Sequence, residues 1–327
     1  MNQKRLVVFA PVLLISLHVG AMASPIEIGL SATAFTDDSA DGTSVFVAVP
    51  AFSQHGVAAP IASGQHVSRI GHSEIDYSNT ALGYVKIRFI DGTSNNLRVL
   101  ITTPHGAQYQ YRLCQMGSWE TFPLSGGDGE YQIRLFEQVT GNRFALVNGV
   151  TTNVTLSCQF APFLRPNQFV NFNENSAVVS KAAELVSGLT CSVEMVSKIY
   201  NFVVENIEYD FELAASVQSG YVPNVDEILA ARKGICFDYA ALLTAMLRSQ
   251  GVPARLEIGY ANLDSGVILH AWVSVHTGVE GWINDDIFVS GIGWTLLDPT
   301  FASTGNKSPE VMKFIGDRSN YMATHFH

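Results

Sequence analysis

Apolar and polar positions change period once along this chain. From about Thr43 to Gln159 they alternate with period two: Val45, Val47 and Val49; Tyr84 to Ile90, stopping at Asp91-Gly92; and Tyr131, Ile133 and Leu135 after the turn Gly126-Gly127-Asp128-Gly129. Short strands at this spacing predict an antiparallel sandwich. The polar Thr36-Asp37-Asp38-Ser39 precedes the first strand, and residues 52–80, rich in Gly, Ser and His, read as a long irregular connection.

Two prolines bracket Ala161-Pro162-Phe163-Leu164-Arg165-Pro166, which reads as a rigid connection, and the boundary between two domains is placed there. Beyond it Val193, Val196, Ile199, Tyr200 and Val203 share one helical face with Ser192 as N-cap, and a shorter helix covers 176–186. Another helix runs from Cys236 to Gln250, with apolar Ala240, Leu243 and Leu247 and a stop at Gly251-Val252-Pro253. Arg255 to Tyr260, Ala271 to Val275 and Thr295 to Leu297 read as strands. This half is therefore α+β, with the Cys236 helix packed on an antiparallel sheet.

A chain of 327 residues, 47% apolar, buries a substantial core and exceeds most single domains. Residues 1–23 have the form of a signal peptide: basic Lys4-Arg5, an apolar run too short to span a bilayer, and Ala21-Met22-Ala23. The expectation is a product released to the periplasm or exterior, with no membrane span, a first domain over 24–165 and a second over 166–327. Removing Lys4 and Arg5 takes the net charge from −10 to −12, which disfavours nucleic acid and anionic lipid as partners. The cysteines are Cys114, Cys158, Cys191 and Cys236; a Cys114–Cys158 bridge and buried, unbridged thiols are both open.

The chemistry lies in three segments. Cys236 starts a helix, where the free N–H groups and dipole favour a thiolate. His270 opens a strand and is followed by Ala271-Trp272, and Asp298, fixed by Pro299, ends another, so its carboxylate can orient an imidazole facing the thiol. Close-paired metal-ligand spacing is missing, the Gly126 turn lacks the Lys of a phosphate loop, and His325-Phe326-His327 reads as a frayed tail. No cofactor or metal is expected.

Together, Gly234-Ile235-Cys236, His270-Ala271-Trp272 and Asp298-Pro299-Thr300 resemble the transglutaminase-like superfamily; Gly251-Val252-Pro253-Ala254-Arg255 and Gly259-Tyr260 extend the resemblance to residues 166–305. It implies a papain-like α+β core, following the all-β sandwich, with Cys236 as nucleophile, His270 as general base then acid, and Asp298 as orienter. Asp286 and Asp285 are the alternatives to Asp298, since Asp286 follows Trp282 at the spacing that separates Asp298 from Trp294. Tyr209 stands where the family places a second oxyanion donor beside the Cys236 backbone N–H. The function expected is cysteine-dependent hydrolysis or acyl transfer on an amide or peptide bond of a peptide or protein; the alternative is a non-catalytic surface binding or assembly module.

Overall fold

The computed structural model describes residues 57–90, 96–283 and 287–327. Val45, Val47, Val49, residues 1–23 and the acidic pair Asp285 and Asp286 lie outside them.

Among the described residues, the N-terminal part is built of strands alone apart from single 3-10 turns. They are β1 (Val67–Ile70), β2 (Ser73–Asp76), β3 (Tyr84–Phe89), β4 (Leu97–Thr102), β5 (Gln108–Leu113), β6 (Glu120–Pro123), β7 (Gly129–Thr140) and β8 (Arg143–Val154). Two separate four-stranded antiparallel sheets result, in the orders β1-β2-β3-β6 and β5-β4-β7-β8. Alternate residues of both, among them Ile75, Ile87, Phe122, Val99, Ile133 and Leu135, share one apolar cluster. Asn148 of β8 ties the sheets, accepting from the Ser68 hydroxyl at 2.8 Å and donating to the carbonyls of Ser68 and Ser73. The hairpin β1–β2 falls where the composition of residues 52–80 predicts irregular chain. Its short edge strand β1 is half exposed, so it lacks the apolar alternation that marks a strand.

The second part contains, in order, α1 (Ala177–Leu185), α2 (Ser192–Asn206), β9 (Glu208–Tyr209), α3 (Phe211–Ser216), α4 (Val225–Ala231), β10 (Lys233–Gly234), α5 (Cys236–Ser249), β11 (Ala254–Leu263), β12 (Gly266–Val275), β13 (Gly281–Ile283), β14 (Ile287–Val289), β15 (Thr295–Leu297), α6 (Pro299–Thr304), α7 (Pro309–Gly316) and β16 (Tyr321–Phe326). An antiparallel sheet in the order β15-β12-β11-β16 packs against α5. Every residue of α5 from Cys236 to Arg248 is buried, because α1, α2, α4 and α6 cover the faces that the sheet does not. Ser192 is the first helical residue rather than the cap; Cys191 takes the cap position and the Ser192 hydroxyl donates to Thr277 O at 2.8 Å.

Arg248 and His327 are among the residues that join the two parts of the molecule. Arg248, 3% exposed, donates to Ala254 O (2.8 Å), Arg165 O (2.8 Å) and His327 O (2.6 Å), and burial lowers its pKa to about 9. His327, read from sequence as part of a frayed tail, is buried: its backbone pairs with Leu256 of β11 and its Nδ1 lies 3.1 Å from the Tyr111 hydroxyl of β5. The tail is a strand because Tyr321-Met322-Ala323-Thr324-His325-Phe326 finds a free edge on β11. Gly259 permits that pairing, since a Cβ there would lie 2.1 Å from Met322 O. Cys114 and Cys158 are both unbridged, so the bridge considered from sequence is not formed.

Candidate active site

Cys236 is the first residue of α5, after the extended N-cap Ile235. The two-residue strands β9 and β10 run parallel, with Gly234 opposite Tyr209 and Lys233 opposite Glu208, and this pairing brings Tyr209 beside the thiol. The approach is locked by Asp238, whose Oδ2 accepts the Ile235 N–H at 2.9 Å while Oδ1 accepts the Tyr221 hydroxyl at 2.8 Å. Gly234 is required here: a Cβ would come 2.6 Å from Cβ of Asp238. Burial raises the Asp238 carboxyl to about 6, against the lowering pull of the Ile235 and Tyr221 bonds.

His270 lies in the middle of β12, opposite Gly259, rather than at a strand start; the turn at Gly266 begins the strand four residues earlier than the apolar run suggests. The ring stacks on Phe301 at 4.3 Å and 9°, and the Trp272 ring lies 6.2 Å away at 27°. Asp298 follows β15 and caps α6, its Oδ1 accepting the Phe301 N–H at 2.9 Å. Its Oδ2 is shared between Nε2 of His270 at 2.8 Å and the Tyr321 hydroxyl at 3.0 Å. His270 is 2% exposed and Asp298 0%. Burial lowers the imidazole pKa, but the charge and hydrogen bond of Asp298, followed by Cys236, outweigh it and raise the value to about 10.

With Nε2 engaged by Asp298, Nδ1 is the nitrogen left over. It is buried without a bonded partner, and Cys236 is the thiol that acts on the ring. Cys236 itself is 5% exposed. The Tyr209 hydroxyl is also buried and unpartnered, and burial, then Cys236, pushes its pKa upward. The four residues singled out from sequence therefore lie in one region: a thiol at a helix start, an imidazole held by a carboxylate, and a phenol whose ionisation the thiol influences. Asp238 and Tyr221 were missed in sequence. A carboxylate two positions after Cys236, at N3 of the helix, is the available signal for the first; Tyr221 carries none, because its loop meets α5 only in three dimensions. No group of metal-ligating side chains occurs among the described residues.

A helix whose first residue is a thiol, laid on an antiparallel sheet that supplies His and Asp, defines the class of papain-like α+β folds. Residues 179–299 match the family model of the transglutaminase-like superfamily. A curated relative, a UPF0252 protein of Methanocaldococcus jannaschii, is 26% identical over 142 residues, which are 40% of this chain and 39% of the relative. Among solved structures, a candidate cysteine protease from Cytophaga hutchinsonii is 14% identical, covering 73% of each chain at a TM-score of 0.38. Red sea bream transglutaminase is 12% identical, covering 66% of this chain and 47% of its own at 0.29. LapG of Legionella pneumophila is 14% identical, covering 46% of this chain and 84% of its own at 0.26. Overlaps this loose say nothing of activity. No helix among the described residues is long and apolar enough to cross a membrane.

Proposed function

We propose that the chain is a cysteine-dependent enzyme of exported type that cleaves or transfers an amide acyl group through a thioester on Cys236. The observation that carries this reading is the buried His270 Nε2–Asp298 Oδ2 contact of 2.8 Å, which leaves Nδ1 toward Cys236. Asp298 fixes the ring and stabilises the imidazolium; His270 takes the thiol proton, and Cys236 attacks the carbonyl carbon. As the tetrahedral intermediate collapses, the C–N bond breaks and His270 returns its proton to the leaving amine. Water or a second amine then attacks the thioester, with His270 again accepting a proton, and the sulfur departs. The Tyr209 hydroxyl, together with the Cys236 N–H, supplies donors for the oxyanion. Hydrolysis is preferred, because water is always present and no amine-binding feature stands out. The all-β part, read as a sandwich, shapes or recognises the substrate.

The test is turnover of a fluorogenic casein substrate in parallel with incorporation of a fluorescent primary amine into it, for the wild type and Cys236→Ala. The reading requires one of the two signals in the wild type and neither in the variant. Cleavage without incorporation assigns water as acceptor. Equal signals from both proteins would exclude Cys236 as nucleophile.

A further inference from the structure

A cleft of about 370 Å³ opens between the N-terminal sheets and the second part, away from Cys236 and His270, neither of which lines it. Its volume is within the roughly 300–1,000 Å³ usual for ligand sites. Its wall holds one formal charge of each sign, Glu120 and Lys86. Glu120 accepts from Cys114 N at 2.6 Å and Gln115 N at 2.7 Å on one oxygen and from Gln168 Nε2 at 2.5 Å on the other. The Lys86 ammonium donates to Pro60 O at 3.0 Å. Beside that ammonium the wall offers neutral groups: the Trp119 ring, one side of which is covered by the Arg88 guanidinium at 4.5 Å, and a set of side-chain amides.

Two of those amides have fixed orientations. Asn167 Oδ1 accepts the N–H groups of Phe169 (3.0 Å) and Val170 (3.1 Å), so its other terminal atom must be the nitrogen. Gln168 donates from Nε2 to Glu120 and to Arg112 O, both acceptors, so its other atom must be the oxygen. Asn167 Nδ2 and Gln168 Oε1 are buried and unpartnered, in residues 4% and 7% exposed. One donor and one acceptor, on consecutive residues in the wall, thus lack partners, while Asn171, Asn173 and Asn224 add exposed amides at the mouth. Neutral groups that both donate and accept, packed with an aromatic face, match a ligand that carries many hydroxyls and apolar C–H faces.

We propose that this cleft is a binding site for a neutral saccharide. The sugar ring lies against Trp119, its hydroxyls pair with the amides, and a slight parting of the wall brings Asn167 Nδ2 and Gln168 Oε1 into contact. The sugar is an anchor rather than the bond that is broken. Val222 to Asn224, which form one wall, directly follow the Tyr221 that is bonded to Asp238, so an occupied cleft abuts the loop that steadies the nucleophile.

The experiment is isothermal titration of the full chain with three probes, the tetrasaccharides of β-1,4-linked N-acetylglucosamine, β-1,4-linked glucose and α-1,4-linked glucose, and with an uncharged Gly-Ser-Asn peptide as control. The wild type binds at least one sugar with a Kd of about 1 mM or tighter. Trp119→Ala and, as an exposed position that leaves the Arg88 packing and the Asn224 cap of α4 intact, Asn171→Ala each weaken it about tenfold or more. The proposal is overturned if no sugar binds, if only the peptide binds, or if the Asn171→Ala variant binds as the wild type does.

Discussion

Replacing Asp298 by Asn probes the site at its most connected atom. Oδ1 keeps its role, since an amide oxygen can accept the Phe301 N–H and cap α6. On the other side, an NH₂ group meets two donors, the His270 Nε2–H and the Tyr321 hydroxyl. Tyr321 can turn its proton away; the imidazole can satisfy the amide only by moving its proton to Nδ1, the nitrogen that faces the thiol. The variant is therefore folded but holds the wrong tautomer, and turnover falls by about 10³–10⁴, the scale of losing the orienting carboxylate in a triad. Losing charge-assisted bonds in the interior costs about 2–4 kcal/mol. That cost depends on pH. The folded His270 pKa is raised to about 10 from 6.5, so its favourable contribution is complete below 6.5 and disappears as pH rises through about 10. Urea unfolding of both proteins from pH 6 to pH 10 reads the gap, which should narrow with rising pH, and the Cys236 alkylation rate reads the chemistry. A variant with wild-type alkylation kinetics, or a stability gap that widens toward pH 10, would refute the reasoning.

Other consequences are separable from that one. Tyr209→Phe removes a donor without moving the triad, so turnover drops about 10²–10³-fold while alkylation of Cys236, which forms no oxyanion, stays near wild type; equal loss in both assays would place Tyr209 elsewhere in the mechanism. Asp238 carries a carboxyl raised from 3.8 to about 6, so folding is favoured while it is protonated and loses that contribution as pH climbs from about 3.8 through 6. Asp238→Asn should flatten denaturant midpoints across that interval, and an unchanged slope there would contradict the assignment. Gly259→Ala forces a methyl into Met322 O and should destabilise the chain by about 1–3 kcal/mol, with β16 amides the first to lose protection in hydrogen exchange; retained protection of β16 would contradict the packing.

Much of the site is legible in the sequence because its signals are local. A Cys at the start of an apolar helical run, a stop at Gly251-Val252-Pro253 and an Asp-Pro pair after Thr295 to Leu297 need no partner to be read, and each lies where the pattern places it. What escaped depends on distant partners. The strand Tyr321–Phe326 exists because β11 has a free edge, and His327 is buried because β5 covers it. The pairing of β9 with β10 is two residues long, below any periodic signal, yet it sets Tyr209 beside Cys236. Asp238 reads as an ordinary N3 carboxylate until the loop bearing Tyr221 is folded onto it.

The central claim is that Cys236 and His270 form one activated pair. Its most direct test is the pH dependence of Cys236 alkylation by iodoacetamide, followed by peptide mass spectrometry in the wild type and in His270→Ala. The account predicts rapid labelling that persists well below the ordinary thiol value of about 8.5, and in the variant a slower reaction that follows an ordinary thiol titration. Identical profiles in the two proteins would contradict it and leave the transglutaminase-like fold serving as a scaffold.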